Sequence, residues 1–199
     1  MRLVTLLEKN RARIIDDWFQ IIIGTYPPEA RKLFTNLNDS FNNPVGSTAV
    51  QSMKEVFDLL LKEASSPDEI QKAFDPLVRI RAVQEFSPCQ ALQFVLELKR
   101  VVRVALEKEL KEEGRGLDRE VLAFESRIDT LLLIGFDIYM GCREQIFAFK
   151  ANHVKERTLN LLKRANVLCE VPEVGTEIIP HNVYKNGGFD KTKTSNKGD

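Results

Sequence analysis

The sequence is poor in the side chains that bind metals and form disulfide bonds. Its 199 residues include two histidines, His153 and His181, and three cysteines, Cys89, Cys142 and Cys169. No pair of cysteines has C-x-x-C spacing, and neither histidine has a second ligand at metal-site spacing. A globin-type haem pocket needs a proximal histidine within the fold, and we expect His153 on a solvent-facing helix. We therefore predict no bound cofactor and no metal.

Long apolar runs and an excess of one charge are also missing. No uncharged run approaches the ~20 residues that span a bilayer, and the first residues lead directly into a charged segment, which argues against a signal peptide. Lysine and arginine total 29, and so do aspartate and glutamate. A nucleic-acid binder usually has a basic stripe, and none stands out. We expect a cytoplasmic protein that neither enters a membrane nor binds nucleic acid.

Sequence motifs of catalysis are missing as well. There is no phosphate-binding glycine loop and no G-x-S-x-G, and most acid pairs are typical of solvated helix faces. We therefore predict that the protein is not an enzyme. Asp129 and Asp137 lie in an apolar segment, where a carboxylate needs a partner. Arg79 and Arg81 are candidates for a buried ion pair with them, and a ligand-binding charge is the alternative.

Apolar residues at three- and four-residue steps dominate the chain and predict an all-α fold. We expect a globin-like or irregular bundle of about six helices. The first covers about residues 3–25 and ends where proline follows Tyr26. Serine or asparagine caps followed by proline predict helix starts at Asn43, Ser66 and Ser87. Asp75-Pro76 has the same form, so we expect two short helices between Ser66 and the next start, and one helix from Ser87 to about residue 112.

The last helix is predicted to be unusually long. No proline occurs between Asp118 and about Leu168, and fifty helical residues would measure roughly 75 Å. A domain of this size is roughly 35–40 Å across, so the first half should be core and the second half should project or pair with another chain. The pattern dissolves at Val171. We expect a helical domain over residues 1–170 and an extended or disordered tail over 171–199.

One segment mixes charge, amide, aromatic and cap residues more densely than the rest, from Arg79 to Gln90. Arginine and aromatic side chains together are typical of ligand and partner sites. We therefore place a candidate ligand- or partner-binding pocket between the first helix and this segment. Its candidate residues are Trp18, Arg79, Arg81, Gln84 and Phe86.

The order of four motifs resembles a known family. They are Thr25-Tyr26-Pro27, Pro44-Val45-Gly46-Ser47-Thr48, the twelve residues from Arg79 to Gln90, and Phe124-Glu-Ser-Arg-Ile-Asp129. Together they look like the N-terminal sensor domain of RsbRD-type proteins, which are co-antagonists in the bacterial stressosome. The resemblance runs from about residue 5 to 168.

The resemblance implies a helical sensor domain. The related RsbR sensor domain is globin-like, binds no haem, dimerises, and leads through a long last helix into a phosphorylatable STAS domain. This sequence has only the tail from Val171 where a STAS domain would begin. We therefore expect a stand-alone, non-catalytic regulatory sensor or protein-interaction module, a homodimer, with the last helix relaying its signal to a protein partner. One alternative is an accessory or assembly factor of a respiratory redox complex, because similar small proteins occur near such complexes. Another is a haem or small-ligand sensor.

Overall fold

The computed structural model describes residues 2–35, 43–62, 64–84, 86–113 and 115–165. These residues are almost entirely helical and contain no strand, which confirms the predicted all-α fold. The described part of the chain contains eight helices: α1 (Arg2–Lys9), α2 (Arg11–Gly24), α3 (Pro28–Thr35), α4 (Pro44–Leu61), α5 (Pro67–Val83), α6 (Pro88–Ala105), α7 (Glu107–Glu113) and α8 (Arg115–Arg164).

The three predicted helix starts are confirmed in atomic detail. The side chain of Asn43 accepts a hydrogen bond from the amide of Gly46 at 2.9 Å. Ser66 and Ser87 each begin a capping box, in which the serine hydroxyl and the third helical side chain satisfy each other's backbone amides. Each of the three helices has proline in its first turn, where the missing amide is not needed. These local signals set where the central helices of the bundle begin.

The predicted number of helices differs because three local interruptions were misjudged. The first predicted helix is broken at Asn10, whose side-chain amide donates to the carbonyl of Leu6 at 3.0 Å and shares this acceptor with the backbone amide of Asn10. A second break falls at Leu106, between α6 and α7. The predicted break at Asp75-Pro76 is wrong, because α5 runs through Pro76. Pro76 is exposed, so water can reach the carbonyl that its missing amide leaves without a partner.

The core is a set of aromatic side chains between α2, α4, α5 and α6. Phe94 of α6 lies at its centre, with ring centroids 5.9 Å from Trp18 and 6.0 Å from Phe74. Helix α8 closes this core through its inner face, where Phe124 meets the ring of Phe57 at 6.4 Å. These five aromatic side chains are all buried. Burial of aromatic rings contributes much of the stabilisation of a core.

Helix α8 belongs to the core only in its first half, as predicted. Its buried residues run from Leu117 to Cys142, and the following residues to 156 are exposed apart from the half-buried Arg143 and Ile146. The described residues up to 156 form one compact unit, and those from 157 onward are assigned to a second. Within the second unit, residues 157–165 are described and all are exposed. The predicted tail over 171–199 lies outside the described residues. No described helix has both the length and the apolarity that crossing a membrane demands.

The predicted buried ion pair between the aspartates of α8 and the arginines of α5 is wrong. Asp129 is exposed and accepts from Lys99 at 2.6 Å, and Asp137 is also exposed. Arg79 pairs instead with Asp75, four residues earlier on its own helix. Both aspartates lie away from the core-facing positions of α8, so each carboxylate keeps its contact with water.

Candidate functional site

Arg81, near the end of α5, is the only buried charged side chain in the described residues. Its Nε donates to the carbonyl of Ala91 at 2.9 Å, and its Nη2 donates to that of Gln90 at 2.7 Å. Both Nη atoms also lie 3.2 Å from the hydroxyl of Thr25 at the end of α2. The planar guanidinium presents several donors in a fixed fork. Arg81 therefore ties the ends of α2 and α5 to the first turn of α6.

Three aromatic rings surround the same guanidinium. Its central carbon lies 4.3 Å from the ring centroid of Phe86 and 5.6 Å from those of Tyr26 and Phe94. No described carboxylate pairs with it. Burial lowers the pKa of the Arg81 guanidinium from its ordinary value, because the charged form loses water. The cation is held by carbonyl oxygens and ring faces rather than by an opposite charge.

Tyr26 joins this arrangement through its hydroxyl, which donates to Oε1 of Gln84 at 2.6 Å. Burial raises the pKa of the Tyr26 hydroxyl, and the nearby Arg81 charge only partly offsets that rise. Trp18 is buried one ring further in, and its Nε1 donates to the carbonyl of Phe94 at 2.7 Å. We call Thr25, Tyr26, Arg81, Gln84 and Phe86 the Arg81 cluster.

The five predicted site residues are therefore only partly brought together. Arg81, Gln84 and Phe86 lie in the Arg81 cluster, and Trp18 reaches it through Phe94. Arg79 is exposed outside it, bound to Asp75 at 2.6 Å. The cavity that borders Tyr26 measures about 10 Å³, which is about what one water molecule needs. The binding role of the five residues stays a prediction.

The Arg81 cluster is connected to α8 by two hydrogen bonds that the sequence did not indicate. The hydroxyl of Tyr139 donates to the carbonyl of Phe86 at 2.5 Å. Nη1 of Arg143 donates to the carbonyl of Ala82 at 3.2 Å. Both acceptors are backbone atoms at or just after the end of α5. The segment that follows α5 is therefore held by Arg81 on one side and by α8 on the other.

A second region, which the sequence analysis missed, contains a larger space. A cavity of about 220 Å³ lies between α1, the end of α4 and the first turns of α8. Leu3, Leu7, Leu60 and Phe124 line it, and Arg119 is among its charged neighbours. One sequence signal points here. Arg119 has no acidic residue three or four positions away on its helix, so it lacks the usual ion-pair partner of an exposed helical arginine.

Among the described residues, the side chains able to bind a metal or react as thiols are dispersed. The described residues contain no group of three histidine, cysteine, aspartate or glutamate side chains arranged for a metal ion. Cys89 is exposed and Cys142 is buried, and both are free thiols. His153 is exposed on α8, as expected, and stacks on the ring of Phe149. His181 and Cys169 lie outside the described residues.

Comparison with known proteins places this helical arrangement in a family. The sequence model of the family described as RsbT co-antagonist protein rsbRD N-terminal domain matches residues 12–153. These residues contain both the Arg81 cluster and the core-facing half of α8. An uncharacterized protein of Archaeoglobus fulgidus is 27% identical over 158 residues, which cover 78% of this chain and 91% of the relative. No solved structure matches the chain. The chain belongs to the RsbT co-antagonist protein rsbRD N-terminal domain family, whose members are regulatory, sensor-type modules.

Proposed function

We propose that this regulatory module works as a cytoplasmic homodimer joined along the outer face of α8, and that α8 relays its signal to a protein partner. The observation that carries the proposal is a row of exposed apolar side chains on α8. Leu133, Met140, Phe147 and Val154 recur at intervals of seven residues, and Phe136 lies between the first two. All five are exposed. We call these five side chains the outer stripe.

The seven-residue interval is the spacing of a helix that packs against another helix. The core-facing residues of α8, such as Phe124, Ile128 and Leu131, lie on the other side of the helix from the outer stripe. Leu133 is 67% exposed and Val154 is 63% exposed, so neither is covered within one chain. A second copy of α8 would cover both, and a symmetric dimer uses the same surface on each subunit.

The Arg81 cluster offers a route by which a signal reaches this surface. The ring of Phe86 lies against the Arg81 guanidinium, and the carbonyl of Phe86 accepts from Tyr139 on α8. Tyr139 is followed directly by Met140 of the outer stripe. A change in the packing between α2, α5 and α6 would therefore alter contacts next to the dimer surface. Packed elements tend to switch between discrete arrangements rather than deform continuously.

We further propose that a protein partner binds the exposed side of the predicted site. Arg79 and Gln84 both face solvent, while Trp18, Arg81 and Phe86 hold the supporting structure. Arg79 also lies 3.4 Å from Oε1 of Gln145 on α8. A partner that binds Arg79 would therefore also affect α8, the helix of the proposed dimer, through Gln145.

The dimer is tested by introducing charge into the outer stripe. Leu133→Glu combined with Phe147→Glu should turn a dimer into a monomer, because four carboxylates would meet across the symmetric interface without partners. Sedimentation velocity over a concentration series measures the change. Circular dichroism should show that the variant remains helical, since both side chains are exposed in one chain.

Val104→Glu on α6 is the matched control. Val104 is 50% exposed, so this substitution adds a carboxylate at a similarly exposed apolar position on a different helix. The control should sediment as the wild type does. A wild-type protein that is monomeric at every concentration, or a double variant that remains a dimer, would contradict the proposal.

A further inference from the structure

The cavity between α1, α4 and α8 has the form of a small ligand site. Its walls are mostly apolar side chains, of which Leu7, Leu60 and Phe124 are almost fully buried. At about 220 Å³ it exceeds the engineered cavities of about 150 Å³ that bind benzene. An apolar cavity with a few polar groups at its edge is the usual form of a small-molecule site.

The charged side chains at this cavity favour an anion. Arg119, Glu120 and Arg127 line it, which gives two positive charges and one negative. Glu120 accepts from the backbone amide of Leu3 at 2.9 Å. Arg127 donates to the carbonyls of Leu60 and Lys62 at the end of α4. Glu120 and Arg127 therefore already make hydrogen bonds that join the helices around the cavity.

Arg119 differs from these two neighbours. It is exposed, and it makes no hydrogen bond or ion pair with any other described residue. A guanidinium can bind a carboxylate with two parallel hydrogen bonds. An arginine that has no partner among the described residues, beside an apolar cavity, thus supplies the polar end that an amphipathic carboxylate needs.

We propose that this cavity binds a small apolar carboxylate, with the ring or chain inside and the carboxylate at Arg119. Such a ligand would contact α1, α4 and α8 at once, and it would add contacts between helices that the Leu3–Glu120 hydrogen bond already joins. In the proposed sensor this ligand would be the signal. That role rests on the proposed function, whereas the binding itself does not. A ligand shifts a conformational equilibrium by its differential affinity for the two states.

The test uses 4-phenylbutyrate as the probe, compared with 4-phenylbutan-1-ol and 4-phenylbutylamine. Isothermal titration calorimetry on the full chain should show the carboxylate binding more tightly than the alcohol, and the alcohol more tightly than the amine. Arg119→Gln should reduce carboxylate affinity about fivefold, as expected for a partly exposed charge pair, and leave alcohol affinity unchanged.

Ala123→Phe should abolish binding of all three probes. Ala123 lines the cavity and is itself exposed, so the added ring has room to enter the cavity without displacing the core. Ala148→Phe adds the same ring to an exposed position elsewhere on α8 and should keep wild-type binding. Equal affinity for all three probes, no binding by the wild type, or binding that survives Ala123→Phe would overturn the proposal.

The binding result is separable from the dimer result. The calorimetry needs no particular oligomeric state, so a protein that binds the probe as a monomer would retain the ligand site and contradict the proposed dimer. A dimer that fails to bind any probe would contradict the ligand site alone.

Discussion

Two regions of the molecule place an arginine beside apolar side chains, with opposite outcomes. Arg81 is fully buried, and its guanidinium is enclosed by backbone carbonyls, a hydroxyl and three rings. Arg119 is exposed beside a cavity of about 220 Å³ and has no described partner. The first region is filled by the protein itself. The second leaves both an apolar space and a charge to be met by something else.

The Arg81 cluster and the cavity beside Arg119 are expected to differ in how much change each tolerates before the fold is lost. A buried arginine costs free energy unless its donors are satisfied, so the Arg81 cluster is expected to be intolerant of change. In the cavity region, the short helix α1 is joined to α8 through the hydrogen bond between Leu3 and Glu120. Regions of lower local stability are the ones that usually move in regulation.

Replacing the two arginines in turn gives the largest predicted difference. Arg81→Ala should lower the free energy of unfolding by about 3 kcal/mol or more, because it empties a buried space and removes four hydrogen bonds. Arg119→Ala should change it by less than about 0.5 kcal/mol, as exposed substitutions usually do. Urea unfolding followed by circular dichroism measures both.

Arg81→Lys sharpens this result. Lysine keeps the charge but lacks the fork that reaches Gln90, Ala91 and Thr25 together, so it should recover only part of the lost stability. If Arg81→Ala unfolds like the wild type, the guanidinium is not a structural element, and its role in partner binding becomes the better explanation.

Adding one methyl group to α8 tests how closely the core next to the Arg81 cluster is packed. A Cβ at Gly135 would lie 2.7 Å from Cε1 of Phe74 and 3.1 Å from Cδ2 of Leu92. Phe74 is fixed edge-on against Phe94, the ring beneath Arg81. Gly135→Ala should therefore lower the free energy of unfolding by about 2 kcal/mol.

Gly141, on the same helix, is the matched control. A Cβ there would meet nothing within 4 Å, so Gly141→Ala should raise stability by up to about 1 kcal/mol through the better helix propensity of alanine. Equal effects of the two substitutions in urea unfolding would mean that Phe74 and Leu92 move aside as easily as the open space at Gly141 accepts a methyl group.

The predictable parts of this molecule are those whose physics is local. The capping boxes at Ser66 and Ser87 each lie within four consecutive residues, so the starts of α5 and α6 could be inferred from the sequence. The inner face of α8 follows from three- and four-residue spacing. The break at Asn10 was missed because the competing hydrogen bond of one asparagine is too small a signal within a strongly periodic segment.

The environment of Arg81 could not be predicted, because its hydrogen-bond acceptors are distant in the sequence or are backbone carbonyls. Thr25 lies 56 residues away in the sequence, and the other acceptors are backbone carbonyls, which every residue has. The sequence instead suggests a carboxylate of α8 as the partner of Arg81, whereas Asp129 binds Lys99. The cavity escaped prediction for a similar reason, since residues from three separated segments form it.

The last prediction concerns a pH dependence of the Arg81 cluster. Burial raises the folded-state pKa of Tyr26, so between the unfolded value of about 10 and the folded value the native state keeps a proton that the unfolded state loses. The stability that this difference supplies is present below pH 10 and is lost as pH rises through the folded pKa. Tyr26→Phe should cost about 1 kcal/mol at pH 8 by removing the hydrogen bond to Gln84.

The difference in free energy of unfolding between the wild type and Tyr26→Phe should shrink between pH 9 and pH 11, because only the wild type has the titrating hydroxyl. The wild type should lose less than about 1.4 kcal/mol of stability per pH unit through this group. Urea unfolding of both proteins across this range measures the narrowing gap, and other titrating groups cancel in the difference. A gap that stays constant or widens would mean that the Tyr26 hydroxyl ionises at least as readily in the native state as in the unfolded chain. The cluster would then admit water, and the contrast with the Arg119 cavity would be one of degree.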